Sequence, residues 1–210
     1  MHYDISYVFT VFFTIFIVID PLGLIPSFIA LTGELPWESK RRIIFRALLT
    51  ALLVLSLFIL AGRYILRFLG IRAGSFYIAG GILLFIVSLD LLFGHRQRTK
   101  LSEREEEGED VSIFPLGIPI LAGPGTITTI LLYVSETSHY METELILFTS
   151  IVVTLIIAFI TMSMSGFFLR VFRKTGVSII QRLMGIILSG LSVQFVYEGL
   201  LKLQIIPVSP

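Results

Sequence analysis

The chain has 210 residues, 55% of them hydrophobic and only 15% charged, with a mean hydropathy of +0.93. That is more apolar surface than a soluble core of this size can bury, which leaves lipid as the solvent. A formal net charge of +1, without basic residues interleaved with aromatics, argues against a nucleic-acid partner, and the lack of cysteine removes disulfides, thiol nucleophiles and cysteine-ligated metals.

A hydrocarbon span takes about 20 predominantly apolar residues, and six such stretches occupy residues 5–31, 43–62, 74–93, 113–134, 144–168 and 178–201. Met1 to Ser6 carries Asp4 but no Lys or Arg, and no small-residue cleavage pattern follows, so the first stretch reads as a retained helix rather than a signal peptide. Inside it, Ile19-Asp20-Pro21-Leu22-Gly23 begins about 22 Å along a helix from Ile5, near the bilayer centre. Asp before Pro is a helix-start pattern: the carboxylate can cap free amides, and Pro lacks the N–H that would go unpaired, so a new helix is predicted from Pro21. A carboxylate at that depth is costly and marks a functional hypothesis, with a purely structural cap as the plainer reading.

In the third span, Gly80 and Gly81 suit close helix packing, and Asp90 near its end reads as solvated at the interface, with a gate or proton-relay role as the sharper alternative. The long connection 94–112 holds Arg96, Arg98, Lys100 and Arg104, then an acidic run from Glu103 to Asp110, the pattern of a solvated linker. The fourth span is interrupted as the first is, at Ala122-Gly123-Pro124-Gly125-Thr126, predicting a half-helix from Pro124. No acid precedes it, so its positive end and the amides around Gly123, Gly125 and Thr126 stay open to an anion. In the sixth span, Gly185 and Gly190 again suit close packing, and Gln194 is expected to bond to another helix.

Six spans place the connections alternately on two sides. One side carries Lys40, Arg41, Arg42, Arg46, Arg96, Arg98, Lys100, Arg104, Arg170, Arg173, Lys174 and Arg182; the other carries Arg63, Arg67, Arg72 and Lys202. By the positive-inside rule the richer side is cytoplasmic and both termini lie outside. A shift of 104 positions lays spans two and three on five and six without a gap, matching Thr50 to Thr154, Gly62 to Gly166 and Gly81 to Gly185. Three spans per copy force the copies into opposite orientations. The expected fold is therefore an all-α integral membrane protein: six transmembrane helices as two inverted three-helix repeats, 1–93 and 113–210, joined by the charged linker 94–112, with helices one and four broken at mid-membrane.

Non-helical backbone at membrane depth is tolerated where it faces protein or a watery cavity, and paired breaks in corresponding positions point to a transporter's substrate site. Simple kinks packed on neighbours are the alternative for each break alone. The breaks are electrically complementary: Asp20 can accept an ammonium, while the Gly123 to Thr126 amides, with the Thr126 and Thr129 hydroxyls, can hold a carboxylate. A small zwitterion fits this pair. No nucleophile–base pair, metal-ligand cluster or phosphate loop is apparent, so neither enzymatic activity nor a cofactor is expected.

The stretches Asp20-Pro21-Leu22-Gly23-Leu24-Ile25-Pro26 and Pro115-Leu116-Gly117-Ile118-Pro119-Ile120-Leu121-Ala122-Gly123-Pro124-Gly125-Thr126-Ile127-Thr128-Thr129 resemble the two signature stretches of the MarC/SnatA family. The resemblance covers essentially the whole chain, charged loop included, although Leu24 stands where many of that family have Asn. It implies a cytoplasmic-membrane protein of the small neutral amino acid transporter type, handling glycine and alanine, in a superfamily that includes lysine exporters.

The function expected is thus a secondary transporter of small neutral amino acids, alternating its access around the two breaks with proton or sodium coupling. Asp20, Pro21, Gly23, Gly123, Pro124, Gly125, Thr126 and Thr129 would contact the substrate, and Asp90 and Gln194 would serve coupling or gating. A membrane scaffold or sensor that docks partners through the 94–112 loop is the alternative.

Overall fold

A computed structural model describes residues 4–33, 35–93, 112–136 and 140–206; the charged connection expected at 94–112 lies outside them but for Ser112. The described elements are α1 (Ile5–Ile19), α2 (Leu24–Thr32), α3 (Trp37–Leu69), α4 (Ala73–Phe93), a π-helix (Ser112–Leu121), α5 (Pro124–Glu136), α6 (Tyr140–Ser163) and α7 (Ser165–Lys202). Among the described residues, four helices are long and apolar enough to cross a membrane: Trp37–Leu69, Gly74–Phe93, Met141–Ser163 and Ser178–Lys202. The first and fourth predicted spans are each divided in two, as their Pro and Gly residues predict.

The helices are apolar on both faces, which sets them apart from those of a soluble domain. In α3 the buried stripe runs Ile44, Ala47, Ala51, Leu55, Ile59, Gly62, Leu66 at helical spacing, while Leu49, Leu53, Leu57, Leu60 and Phe68 point outward. A helix hydrophobic all round belongs in lipid or deep in a protein. Gly70 ends α3 at φ 64°, a left-handed conformation that favours glycine, and the Ile71 N–H closes back on the Leu66 carbonyl at 3.1 Å.

Two boundaries depart from the sequence reading for one reason. The helix α3 begins at Trp37 rather than 43, and Arg170, Arg173 and Lys174, expected in a connection, lie within the 38-residue α7. Only Met164 separates α7 from α6. Hydropathy marks where a segment meets lipid, whereas Glu, Lys and Arg are good helix formers and let the helix run past that point.

One apolar cluster joins α1, α2, α3, the π-helix, α5 and α6 around Ile15, Phe28, Leu55, Leu121 and Ile151. A smaller one, around Tyr77, Leu84, Leu188 and Phe195, joins α4 to α7. There a Cβ on Gly81 would lie 2.6 Å from the Ser192 carbonyl oxygen and 2.7 Å from Val196, and one on Gly185 would lie 3.1 Å from the Ser88 carbonyl oxygen and 3.0 Å from Leu92. Numbers rise along α4 as they fall along α7, so the two helices are antiparallel. Gly190, expected in the same role, has no atom within 4 Å of such a Cβ among the described residues and faces outward.

Candidate functional site

The first break is a four-residue turn held by its own carboxylate. Asp20 ends α1 with φ 49° and ψ 65°, a left-handed conformation that Asp tolerates because its short polar side chain can bond locally. Its Oδ1 accepts the Gly23 N–H at 3.1 Å, and its carbonyl accepts the Leu24 N–H at 3.2 Å. The new helix therefore starts at Leu24 and not, as the sequence predicts, at Pro21: Asp20 closes the turn over residues 20–23 instead of capping the next helix directly. Gly23 has ordinary helical angles, φ −67° and ψ −18°, yet any Cβ there would run into the Asp20 carboxylate.

Two distant side chains satisfy the carbonyls that this turn frees. The Thr161 hydroxyl of α6 is shared between the Pro21 and Ala158 carbonyls, 3.0 Å from each, and the Gln181 amide of α7 donates to the Gly23 carbonyl over a longer 3.4 Å. Neither partner was singled out from the sequence. The available signal was a polar side chain inside an apolar span, which seeks a partner on another helix.

The second break follows from three prolines. Pro115 and Pro119 each remove an N–H from the segment, whose backbone takes the wider π form, closed by the Ala122 N–H on the Gly117 carbonyl at 2.9 Å. After Gly123, α5 starts at Pro124 as predicted. The Ile127 N–H makes the 3.0 Å bond to the Gly123 carbonyl, so the Gly125 and Thr126 N–H groups lie in the first turn, where no intrahelical acceptor exists. The Thr126 hydroxyl donates to the Leu121 carbonyl at 3.5 Å, the limit of such a bond, and is the more easily diverted. Thr129 donates at 2.9 Å to the Gly125 carbonyl of its own helix, so its proton is engaged where the sequence reading had it face a carboxylate.

The two breaks are neighbours. A Cβ on Gly125 would lie 3.6 Å from Val18 Cγ1, two residues before Asp20, and 2.5 Å from Leu84 of α4. Two turns back along α1, Thr14 donates to the Thr10 carbonyl at 2.8 Å and accepts the Tyr133 hydroxyl of α5 at 3.3 Å. Asp20 is 9% exposed and Thr126 2%; Pro21, Gly23, Gly123, Gly125 and Thr129 are buried, while Pro124 is exposed. The region is closed in this conformation, and a groove of about 740 Å3 lies instead between α3 and α6.

Asp90 and Gln194 are exposed and stand outside this cluster. Gln194 donates to Glu198 at 3.0 Å one turn along α7, an intrahelical bond in place of the interhelical one expected. Among the described residues no three His, Asp or Glu side chains group closely enough to hold a metal.

No solved structure matches this chain. It is 36% identical to a UPF0056 membrane protein of Methanocaldococcus jannaschii, covering 91% of this chain and 86% of that one. A UPF0056 membrane protein of Aquifex aeolicus is also 36% identical, with 91% of each chain covered, and one of Archaeoglobus fulgidus is 36% identical with 93% of each covered. Residues 5–204 match the MarC family of integral membrane proteins. With apolar helices throughout and this match over nearly its whole length, the chain belongs to the MarC family and is a multi-pass integral membrane protein.

Proposed function

We propose that the protein is a secondary transporter of small neutral amino acids such as glycine and alanine, built as two inverted repeats of three spans and working by alternating access around its two broken helices. The observation that carries this reading is the pairing of the breaks. One helix ends in a carboxylate, the other begins with first-turn amides that have no acceptor in their own helix, and the two lie side by side at Val18 and Gly125. A carboxylate and a positive helix end are the two features that a zwitterion of one or two carbons requires. The substrate ammonium is assigned to Asp20 and its carboxylate to the Gly125 and Thr126 amides, with the Thr126 hydroxyl rotating away from Leu121 to help. The closed form is one state of the cycle, and opening must move the turn at Asp20 relative to α5.

Support for the inverted repeat comes from the crossing of α4 and α7. The 104-residue shift carries Gly81, Ser88 and Leu92 onto Gly185, Ser192 and Val196. The contacts of Gly81 with Ser192 and Val196 and of Gly185 with Ser88 and Leu92 are therefore the same contact seen from either helix. The two serines even share a local bond, Ser88 to the Phe85 carbonyl at 2.7 Å and Ser192 to the Ser189 carbonyl at 2.6 Å. Reciprocal contacts belong to any antiparallel pair, and it is the like residues at the matched positions that favour a repeat related by a two-fold axis in the membrane plane. The uneven distribution of Lys and Arg supports a cytoplasmic-membrane orientation with both termini outside.

The test is uptake of labelled glycine and alanine by proteoliposomes, with and without an imposed pH gradient. Saturable uptake above protein-free vesicles is expected. Asp20→Asn, which keeps an oxygen for the Gly23 N–H but removes the charge, should lower it at least about tenfold, the effect of about 1.4 kcal/mol. Absence of saturable flux of either amino acid under either gradient overturns the transport reading, and undiminished flux in Asp20→Asn removes that carboxylate from the site.

A further inference from the structure

The groove between α3 and α6 has the build of a lipid site. Phe45, Leu48, Leu49 and Leu52 of α3 face Leu155 and Phe159 of α6 across it, and its polar lining, Glu38, Arg41 and Arg42, is confined to the beginning of α3. From Arg41 to Leu52 the helix rises about 16 Å, close to the ~15 Å depth of hydrocarbon in one leaflet. Trp37, half exposed one turn before the arginines, suits the level of the lipid headgroups.

The charge at this mouth is unbalanced. Arg41 and Arg42 are exposed, and among the described residues Glu38 is the one carboxylate that lines the groove with them. The positive end of the α3 dipole adds to the same sign. Nearby Lys40 is turned away, its ammonium donating to the Gly33 carbonyl at 2.8 Å. The asymmetry is specific to this end, because the 104-residue shift places Leu145 and Ile146 where Arg41 and Arg42 stand, while Glu38 falls on Glu142.

We propose that this groove binds an anionic glycerophospholipid from the surrounding bilayer, one acyl chain lying between α3 and α6 and the phosphate held by the Arg41 and Arg42 guanidiniums. The planar guanidinium presents paired donors that match phosphate oxygens. A headgroup without a compensating cation suits a mouth that is already positive. A helix from a second copy is the competing occupant of the apolar part, and a phosphate is the better match to two adjacent guanidiniums.

Native mass spectrometry of the purified full chain, titrated separately with phosphatidylglycerol and phosphatidylcholine of equal chain length, tests this. The first phosphatidylglycerol should bind about thirtyfold more tightly than phosphatidylcholine, the effect of two basic residues acting on one anionic lipid. Arg41→Gln/Arg42→Gln should abolish that preference, and Arg67→Gln/Arg72→Gln, exposed changes at the far end of α3 and just beyond it, should keep it. Leu49→Trp, a change at a half-exposed position, should fill the groove and lower phosphatidylglycerol occupancy. Thermal unfolding of each variant checks that the fold is retained. Equal affinity for the two lipids, a preference that survives loss of both arginines, or a dimer that Leu49→Trp dissociates while lipid occupancy stays the same would each overturn the proposal.

Discussion

Thr161 and Pro21, 140 positions apart in sequence, are joined by a 3.0 Å hydrogen bond from hydroxyl to carbonyl. A turn in the middle of an apolar span frees backbone acceptors that lipid cannot satisfy, and here another helix supplies the donor. The break at Asp20 is thus tied to α6 as well as set by its own proline.

Thr161→Val keeps the shape and removes the donor. The Pro21 carbonyl then loses a buried partner, and a loss of about 1–3 kcal/mol in stability is expected. Thr161→Ser should recover most of it. Thermal unfolding of the purified protein in detergent reads both, and a Val variant as stable as the parent would show that the turn holds without α6.

Gly23→Ala separates backbone from side-chain effects. The angles at Gly23 are acceptable for alanine, so the consequence comes from the methyl group displacing the Asp20 carboxylate. Substrate flux should fall at least about fivefold, the equivalent of ~1 kcal/mol, with the helices preserved by circular dichroism. Flux like that of the parent would place the working position of Asp20 elsewhere.

Gly125→Ala drives a methyl group into Leu84. Because the obstacle is the end of a side chain, Leu84→Ala in the same chain should restore function. Overpacking of this kind costs about 1–3 kcal/mol, so the single variant should be destabilised and the pair should show a coupling of similar size in a double-mutant cycle. Additive effects would mean that the two residues do not meet.

The α4–α7 crossing gives a ranking. A methyl group on Gly81 meets a backbone carbonyl at 2.6 Å, one on Gly185 meets a carbonyl at 3.1 Å, and one on Gly190 meets nothing among the described residues. Alanine should therefore destabilise most at 81, less at 185, and at 190, where a helix interior favours alanine over glycine, be neutral or stabilise by up to about 1 kcal/mol. Thermal unfolding of the three variants checks the order; a reversed order would mean that the helices cross in another register.

Both breaks were legible in the sequence because proline and glycine act on the backbone where they stand. The exact start of α2 was not, since it depends on the Asp20 carboxylate folding onto the Gly23 amide rather than onto the helix beyond. Thr161 and Gln181 were visible as polar residues in apolar spans, but which carbonyl each would reach is a matter of tertiary packing. Gln194 illustrates the converse: a glutamine four residues from Glu198 has a ready partner on its own helix, and only the outward turn of that face decides in its favour. Gly190 was misread for the same reason, because periodicity cannot tell a face toward protein from a face toward lipid when both are apolar.

An unbroken α7 of 38 residues has the length of a lever. It is packed on α4 from Gly185 to Leu203, and it touches the Asp20 turn through Gln181, one turn before that packed length. From Gly185 to Ser165 the rod extends about 30 Å, so a tilt of about 5° would sweep its far end through roughly 3 Å. A small displacement of the Gly23 carbonyl would thereby be magnified at the junction with α6, on the very helix whose Thr161 holds the other side of the same turn.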